Sequence, residues 1–172
     1  MVQTRSIFNE FFEQNDDLFL VTNLYKHKTE KRKRRLKVYQ PFLKCENYLH
    51  RIQVKSSPYP FELDEAEEYE MQQFSLLCKR EDLRVNELLK AACNEDFPLK
   101  LRFLKYSIAY PDVFFVNITK DIIFFIYDDS GCEVIALEAD RIRALYEKYY
   151  DWIEEVDRKR IEEGLRERGL SK

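Results

Sequence analysis

Five consecutive residues, Asp128-Asp129-Ser130-Gly131-Cys132, place two carboxylates, a hydroxyl, a glycine and a thiol between two apolar runs. Paired carboxylates can hold a metal ion or perform acid–base catalysis, and Cys132 and Asp151 could join such a site. The same residues are typical of a tight turn, because Asp and Ser bond the nearby backbone and Gly accepts a positive φ. We favour the turn, since adjacent strand residues point to opposite faces of a sheet.

The cysteines and histidines do not have the spacing of a metal site. The chain has four cysteines and two histidines, without a Cys-x-x-Cys pair, whereas zinc ligands usually come in closely spaced pairs. Its three glycines cannot form a glycine-rich phosphate-binding loop. We therefore predict no metal and no cofactor, and we expect reduced, buried thiols.

Two charged runs are candidates for partner binding. They comprise the cations Lys31, Arg32, Lys33, Arg34 and Arg35 and the carboxylates Glu65, Glu67 and Glu68. The cations could contact nucleic acid phosphates or an acidic protein, and the carboxylates could contact a basic protein. Each run could instead be a solvated surface, with the acidic run balancing the basic one. Because the net charge is −3, nucleic acid is the less favoured partner.

In the first half of the chain, periodicity predicts a helix near 4–14 that Thr4 caps, and a hairpin of strands 17–25 and 34–43. A helical turn or two follows within 44–54. Residues 56–61 should be irregular because they contain two prolines, and the acidic segment 62–70 should be an exposed linker.

In the second half, apolar patterning predicts a strand over 73–79 and a helix that starts at Asp82 or Arg84. Residues 94–105 are expected to be a loop. Three strands near 113–118, 122–127 and 133–137 should form a meander with short turns. A helical end with Asp140 as its cap follows, and Asp151 marks a break in it.

These elements predict an α+β fold. We expect an antiparallel sheet of five or six strands with helices packed on one face, ending in a C-terminal helix or helix pair. Thirteen Phe and eleven Tyr indicate an aromatic core, and the stripe Tyr146, Tyr149, Tyr150 and Trp152 should belong to it. The 172 residues suit a single domain.

The sequence lacks an apolar run of membrane-spanning length and a secretion signal. We therefore expect a cytoplasmic protein that has no membrane partner.

Two segments resemble a known family. They are 124–136 and 145–153, and they resemble the uncharacterised bacterial family called domain of unknown function 3885. Residues 157–158, 88–94 and 114–117 also fit the family pattern. The matching motif residues are Tyr127, Asp128, Asp129, Gly131, Cys132, Tyr146, Asp151 and Trp152. Family members usually have Arg where this chain has Ser130 and Asp where it has Glu133.

The resemblance divides the chain into two regions. Residues 76–165 are the family-like core, and residues 1–75 form a variable region with the hairpin and the acidic loop. The resemblance also implies that an N-terminal segment of longer members is lacking here. It supplies no activity, because the family has no established one.

Three functions remain open at this stage. The favoured one is a non-enzymatic bacterial cytosolic protein that binds another protein, as an immunity-type protein does when it neutralises a toxin through charged loops. The alternative is a nucleic-acid-associated module that uses the basic hairpin 26–37. The third is an enzyme centred on Asp128 and Asp129. The oligomeric state is not indicated by the sequence.

Overall fold

The computed structural model describes residues 2–29, 39–61, 66–93, 111–127 and 131–169. Within these ranges six antiparallel strands form one sheet, in the order β2-β3-β1-β4-β5-β6. The strands are β1 Asp17–His27, β2 Gln53–Pro58, β3 Tyr69–Lys79, β4 Asp112–Asn117, β5 Ile122–Ile126 and β6 Cys132–Ala136. The α+β class and the strand number agree with the sequence prediction.

Four α-helices accompany the sheet in the described part of the chain. They are α1 Val2–Phe11, α2 Val85–Cys93, α3 Ala139–Lys148 and α4 Glu155–Gly169. A 3-10 turn, Tyr150–Trp152, separates α3 from α4, which confirms the predicted C-terminal helix pair with a break at Asp151. Helices α1 and α3 begin at residues 2 and 139, so Thr4 and Asp140 lie inside helices and were wrongly predicted as caps.

β1 lies in the interior of the sheet and pairs on both sides. Its full length pairs with β3, from Asp17↔Lys79 to His27↔Tyr69, and residues 18–23 pair with β4. The predicted hairpin between 17–25 and 34–43 is wrong for its described part, since residues 40–42 form a 3-10 helix. The partners of β1 come from distant sequence, which local patterning does not reveal.

The meander β4-β5-β6 has the predicted strands in consecutive antiparallel pairs. Every residue of β5 is apolar, with alternate side chains on opposite faces. One face is fully buried, as Ile122, Phe124 and Ile126 are at most 1% exposed. This inner face carries the core.

Aromatic packing on the inner face joins α1 to the meander. The rings of Phe8 and Phe12 stack with centroids 4.3 Å apart. Phe8 then meets Phe115 and Phe124 edge-on at 4.9 and 5.7 Å. All four side chains have zero exposure, so they contribute the large apolar burial and ring geometry that stabilise aromatic clusters. Ile142 and Leu145 of α3 pack at the border of the same core.

A buried side-chain amide lies at the end of the core that is next to the β4–β5 turn. The Asn117 side chain has zero exposure, and its Nδ2 donates to the Phe11 carbonyl and to Asp16 Oδ2, each at 2.7 Å. Asn117 Oδ1 accepts the Lys120 backbone N–H at 3.0 Å. These bonds satisfy the C-terminal end of α1 and fix the turn between β4 and β5.

Tyr39 anchors the segment that follows the basic run. Its ring is fully buried, and its hydroxyl oxygen lies 2.9 Å from Thr22 Oγ1 and 3.0 Å from the Phe74 carbonyl oxygen. The hydroxyl therefore links residues 39–43 to β1 and β3 on the inner face of the sheet.

Two further predictions for the region 56–70 are corrected. Residues 56–58 belong to the edge strand β2, because Pro58 sits at its last position, where an edge strand tolerates a missing amide. Glu70 and Tyr69 are in β3 rather than in a linker. The helical turns predicted within 44–54 correspond to the 3-10 helix Glu46–Arg51.

No helix among the described residues combines the length and the apolar character that a bilayer crossing needs.

We predict that Tyr39→Phe lowers the free energy of unfolding by about 1–3 kcal/mol, because it removes the buried hydrogen bonds of the Tyr39 hydroxyl to Thr22 and to the Phe74 carbonyl. Urea denaturation followed by circular dichroism measures the change. Tyr150→Phe is the matched control, since Tyr150 is 41% exposed and its change should stay within about 0.5 kcal/mol. Equal effects of both substitutions would contradict an anchoring role for the Tyr39 hydroxyl.

Candidate functional site

The motif turn joins β5 to β6. The backbone N–H of Tyr127 donates to the Gly131 carbonyl at 3.1 Å, which closes the hairpin that the sequence predicted. A Cβ at Gly131 would lie 3.6 Å from the Tyr127 ring, an ordinary contact distance. Asp128 and Asp129 lie outside the described residues, so their proposed catalytic or turn roles stay predictions.

Cys132 follows the turn and lies half-buried on the inner side of β6. Burial raises the pKa of its thiol to about 11. At neutral pH the group is therefore a thiol and not the reactive thiolate. Among the described ranges, no three His, Cys, Asp or Glu side chains form a group that could hold a metal ion.

The remaining motif residues lie where α3 meets α4. There Tyr146, Tyr149, Tyr150 and Trp152 form a group of rings, which we call the C-terminal aromatic surface. Tyr149 and Trp152 are 4.6 Å apart with a tilt of 31°, and Tyr146 meets Tyr150 edge-on at 5.4 Å. The short 3-10 turn Tyr150–Trp152 lies between the two helices and carries two of the four rings.

The exposure of this surface corrects the sequence analysis. Tyr150 is 41% exposed and Trp152 is 43% exposed, whereas the stripe was predicted to lie in the core. No residue of α3 is buried, because α1 and the meander already supply the aromatic core. Sequence periodicity cannot distinguish a core stripe from an exposed one when both have helical spacing.

Ion pairs and ring contacts hold the C-terminal aromatic surface in place. Glu10 of α1 binds both Lys148 Nζ and the Tyr149 hydroxyl, the latter at 3.0 Å. The Tyr146 hydroxyl donates to Glu162 of α4 at 2.7 Å. The Arg158 guanidinium lies 4.1 Å from the centre of the Tyr150 ring, a cation–π distance. These contacts fix the positions of Tyr146, Tyr149 and Tyr150 relative to α1 and α4.

The two motif segments converge on α4. The Tyr127 hydroxyl donates to Glu133 at 2.9 Å. Burial, the bond to Glu133 and the nearby Asp157 of α4 all raise the Tyr127 pKa. Arg158, one residue further along α4, contacts Tyr150. Asp151 is exposed in the 3-10 turn. Tyr127 and the aromatic surface are therefore both next to the first turns of α4.

The acidic run lies elsewhere, beside the last residues of β1 and just before the first residue of β3. His27 Nε2 is 2.9 Å from Glu68 Oε2, and Lys26 forms an ion pair with Glu70. The Lys28 ammonium donates to the Glu67 carbonyl. Glu68 and the neighbouring Glu70 thus contact side chains of β1 within the fold. Lys31, Arg32, Lys33, Arg34, Arg35 and Glu65 lie outside the described residues, so partner binding by either run stays a prediction.

An open hollow of about 430 Å³ lies at the same end of the sheet. Tyr59, Tyr69, Ser57, Glu67 and Glu70 are among its lining residues. The hollow mixes aromatic rings with hydroxyls and carboxylates, but its cation Lys28 and its carboxylate Glu70 already have partners. Its chemistry does not specify a ligand class.

A polar chain crosses three strands on the other face of the sheet, and sequence reasoning missed it. Gln73 Nε2 donates to Asn23 Oδ1 at 3.0 Å, Asn23 bonds Tyr25, and the Tyr25 hydroxyl donates to Asp112. Burial raises the Asp112 pKa, and the Tyr25 bond opposes that shift. The available signal was an aspartate that directly precedes four apolar strand residues, but its partners follow only from strand register.

These features define an α+β protein with an open antiparallel sheet and a preformed, exposed aromatic surface. The chain belongs to the family described as "Domain of unknown function (DUF3885)", whose model matches residues 2–157. It is 75% identical to "Uncharacterized protein YnaE" of Bacillus subtilis (strain 168) over 154 residues. The matched region covers 89% of this chain and 72% of the relative. No solved structure matches the chain.

We predict that Asp112→Asn makes the protein more stable than wild type at pH 7. A carboxyl whose pKa is raised in the folded state binds its proton more readily there, so wild-type stability increases as pH falls through that pKa. The advantage of Asp112→Asn should therefore shrink between pH 7 and pH 4. Urea unfolding at several pH values measures it, and a pH-independent difference would contradict the burial argument.

Proposed function

We propose that this protein is a non-enzymatic protein-binding module and that the C-terminal aromatic surface contacts its partner. The observation that supports this is the exposure of Trp152 and Tyr150, at 43% and 41%, on rings held by surrounding contacts. Large aromatic side chains lose favourable burial when they face water. A group of them kept at the surface is typical of a site that another protein covers.

The composition of the surface fits the centre of a protein interface. Trp, Tyr and Arg dominate the residues that contribute most to binding energy, and Trp152, Tyr150 and Arg158 are adjacent here. Aromatic rings have few rotatable bonds, and packed rings have fewer accessible conformations still. The entropic cost of ordering this surface on binding is therefore small.

Charges surround the rings in both signs. Lys148 is paired with Glu10, and Asp157 is 3.3 Å from Arg160. A rim of paired charges around an aromatic centre resembles the polar border of protein interfaces. The partner that fits is a protein with an apolar or aromatic contact patch, rather than one with a strongly charged surface.

Neutralisation of a toxin is the specific form of protein binding that we propose for the bacterial host. This immunity-type role would make the partner a toxin whose activity is lost in the complex. Purification of the partner tests this role. A captured protein that is toxic to cells and loses that toxicity when this protein is added would support it, and a captured protein without toxicity would contradict it.

We predict that Trp152→Ala removes the partner from pull-downs that use the full chain as bait in extracts of the native host. Truncation of a central aromatic contact typically costs about 2 kcal/mol or more, which is roughly a thirtyfold loss of affinity. Quantitative mass spectrometry of the captured proteins measures the loss.

Val156→Ser is the matched control, because Val156 is an 80% exposed apolar residue on α4 outside the ring contacts. The variant should retain the protein that wild type captures. Circular dichroism of Trp152→Ala must match wild type, so that misfolding is ruled out. If no protein is enriched by wild type over Trp152→Ala, the proposed binding surface is wrong.

A further inference from the structure

The face of the sheet opposite α1, the outer face, carries a carboxylate at the end of a hydrogen-bonded chain. Asp112 is the register partner of Asn23, and paired residues share a face of the sheet. One Asp112 oxygen accepts the Tyr25 hydroxyl. Behind it, Gln73 donates to Asn23 and Asn23 donates to the Tyr25 oxygen. Every donor in the chain is directed towards Asp112, which is the arrangement that stabilises a negative charge.

No cation among the described residues pairs with Asp112. Lys55 lies in the same cross-strand row, but its register partner is Gln73. It is therefore three strands from Asp112, about 14 Å at the usual strand spacing. Arg160, which approaches the end of β5, is 3.3 Å from Asp157 instead. Burial raises the Asp112 pKa, because the ionised carboxylate loses water and gains no opposite charge.

An aromatic group adjoins Asp112 on the β1 side. The Tyr25 ring, whose hydroxyl contacts Asp112, meets the Tyr59 ring edge-on with centroids 5.6 Å apart. Phe61 lies 5.4 Å from both of these rings. Phe61 is 54% exposed, so this group presents aromatic surface to solvent next to the carboxylate.

A second aromatic group adjoins Asp112 on the β5 side. Phe114, two residues further along β4, is on the same face and stacks on Phe125 with centroids 4.4 Å apart. Tyr127 meets Phe125 edge-on at 4.8 Å. The β4–β5 register, extended by one residue, sets Tyr127 opposite Asp112, where neighbouring side chains are about 5 Å apart. Tyr127 is 42% exposed, so its ring is open to a ligand.

We propose that Asp112 and the rings on both sides of it bind an alkylammonium group. The carboxylate supplies a charge-assisted hydrogen bond, and aromatic faces attract a cation. One Asp112 oxygen is already bonded to Tyr25, so the two-oxygen contact that a guanidinium makes best is not available. An ammonium needs one oxygen only. Tyr150 and Trp152 do not belong to this site, so it is independent of the proposed function.

An NMR titration of the full ¹⁵N-labelled chain with butylammonium chloride at pH 7 tests the proposal. Sodium chloride at equal ionic strength supplies the baseline. The side-chain amide signals of Asn23 and Gln73 report on the site, because these amides lie in the chain that ends at Asp112. Wild type is expected to give saturable shifts of both signals, and butylguanidinium should bind more weakly.

Asp112→Asn keeps the shape of the side chain and removes its charge. Binding of butylammonium should weaken about tenfold or more, because a hydrogen bond to a charged group is lost. Asp17→Asn is the matched control, since Asp17 is a carboxylate at the other end of the same face. It should bind as wild type does. Absence of a saturable shift in wild type, or equal affinities of wild type and Asp112→Asn, overturns the proposal.

Substitution of Tyr127 separates the ring from its hydroxyl, which donates to Glu133 outside the site. Tyr127→Phe retains the aromatic face and should bind butylammonium like wild type. Tyr127→Leu should weaken binding about threefold, the usual size of an exposed cation–π contact. Equal binding by both variants shows that the ring on the β5 side takes no part.

A parallel titration with Nα-acetyl-lysine methylamide distinguishes the two sources of an alkylammonium group. Binding at least as tight as that of butylammonium assigns the site to a lysine side chain of another protein. Weaker binding assigns it to a free amine. Tighter binding of butylguanidinium than of either ammonium contradicts the proposed ligand class.

Discussion

The contact of Phe8 and Phe12 with Phe115 and Phe124 is the interaction on which the rest of the molecule depends. It joins the first helix to strands more than a hundred residues later, and it does so with four fully buried rings. Once α1 lies across β4 and β5, the end of the helix can bond the Asn117 amide. β1 then follows within a short turn and enters the sheet beside β4. The position of the central strand is thus a consequence of aromatic packing.

Because the helices in contact with the core pack on the inner face, two groups of apolar side chains remain outside it. One is the C-terminal aromatic surface, where the chain turns between α3 and α4. The other is the row Leu77, Phe19, Val116, Ile123 and Ile135, which strand register places side by side on the face of the sheet opposite the core. Both cost solvation free energy in an isolated chain. The proposed protein partner accounts for the first group, and it does not use the motif thiol, whose raised pKa keeps it protonated at neutral pH.

Local features were predictable because local chemistry decides them. The β5–β6 hairpin was readable from two apolar runs around Asp, Ser and Gly, and the break near Asp151 was readable from a restart of the periodicity. The edge strand 53–58 was missed because prolines were taken as breakers, although an edge strand tolerates one at its end. The pairing of β1 with β3 and β4 was missed because its partners are distant in sequence. Of the candidate site, the aromatic residues were identified, but their exposure was not.

By itself the sequence determined the α+β class, the meander, the C-terminal helix pair and the family, since these follow from periodicity, turn chemistry and contiguous motifs. Only the tertiary structure decided which apolar stripe is buried. Phe8 and Tyr150 lie in similar helical patterns, yet the first has zero exposure and the second 41%. The physical reason is that burial depends on what packs against a side chain: Phe8 of α1 packs against β4 and β5 on the inner face, whereas α3 meets that core only at its border, through Ile142 and Leu145.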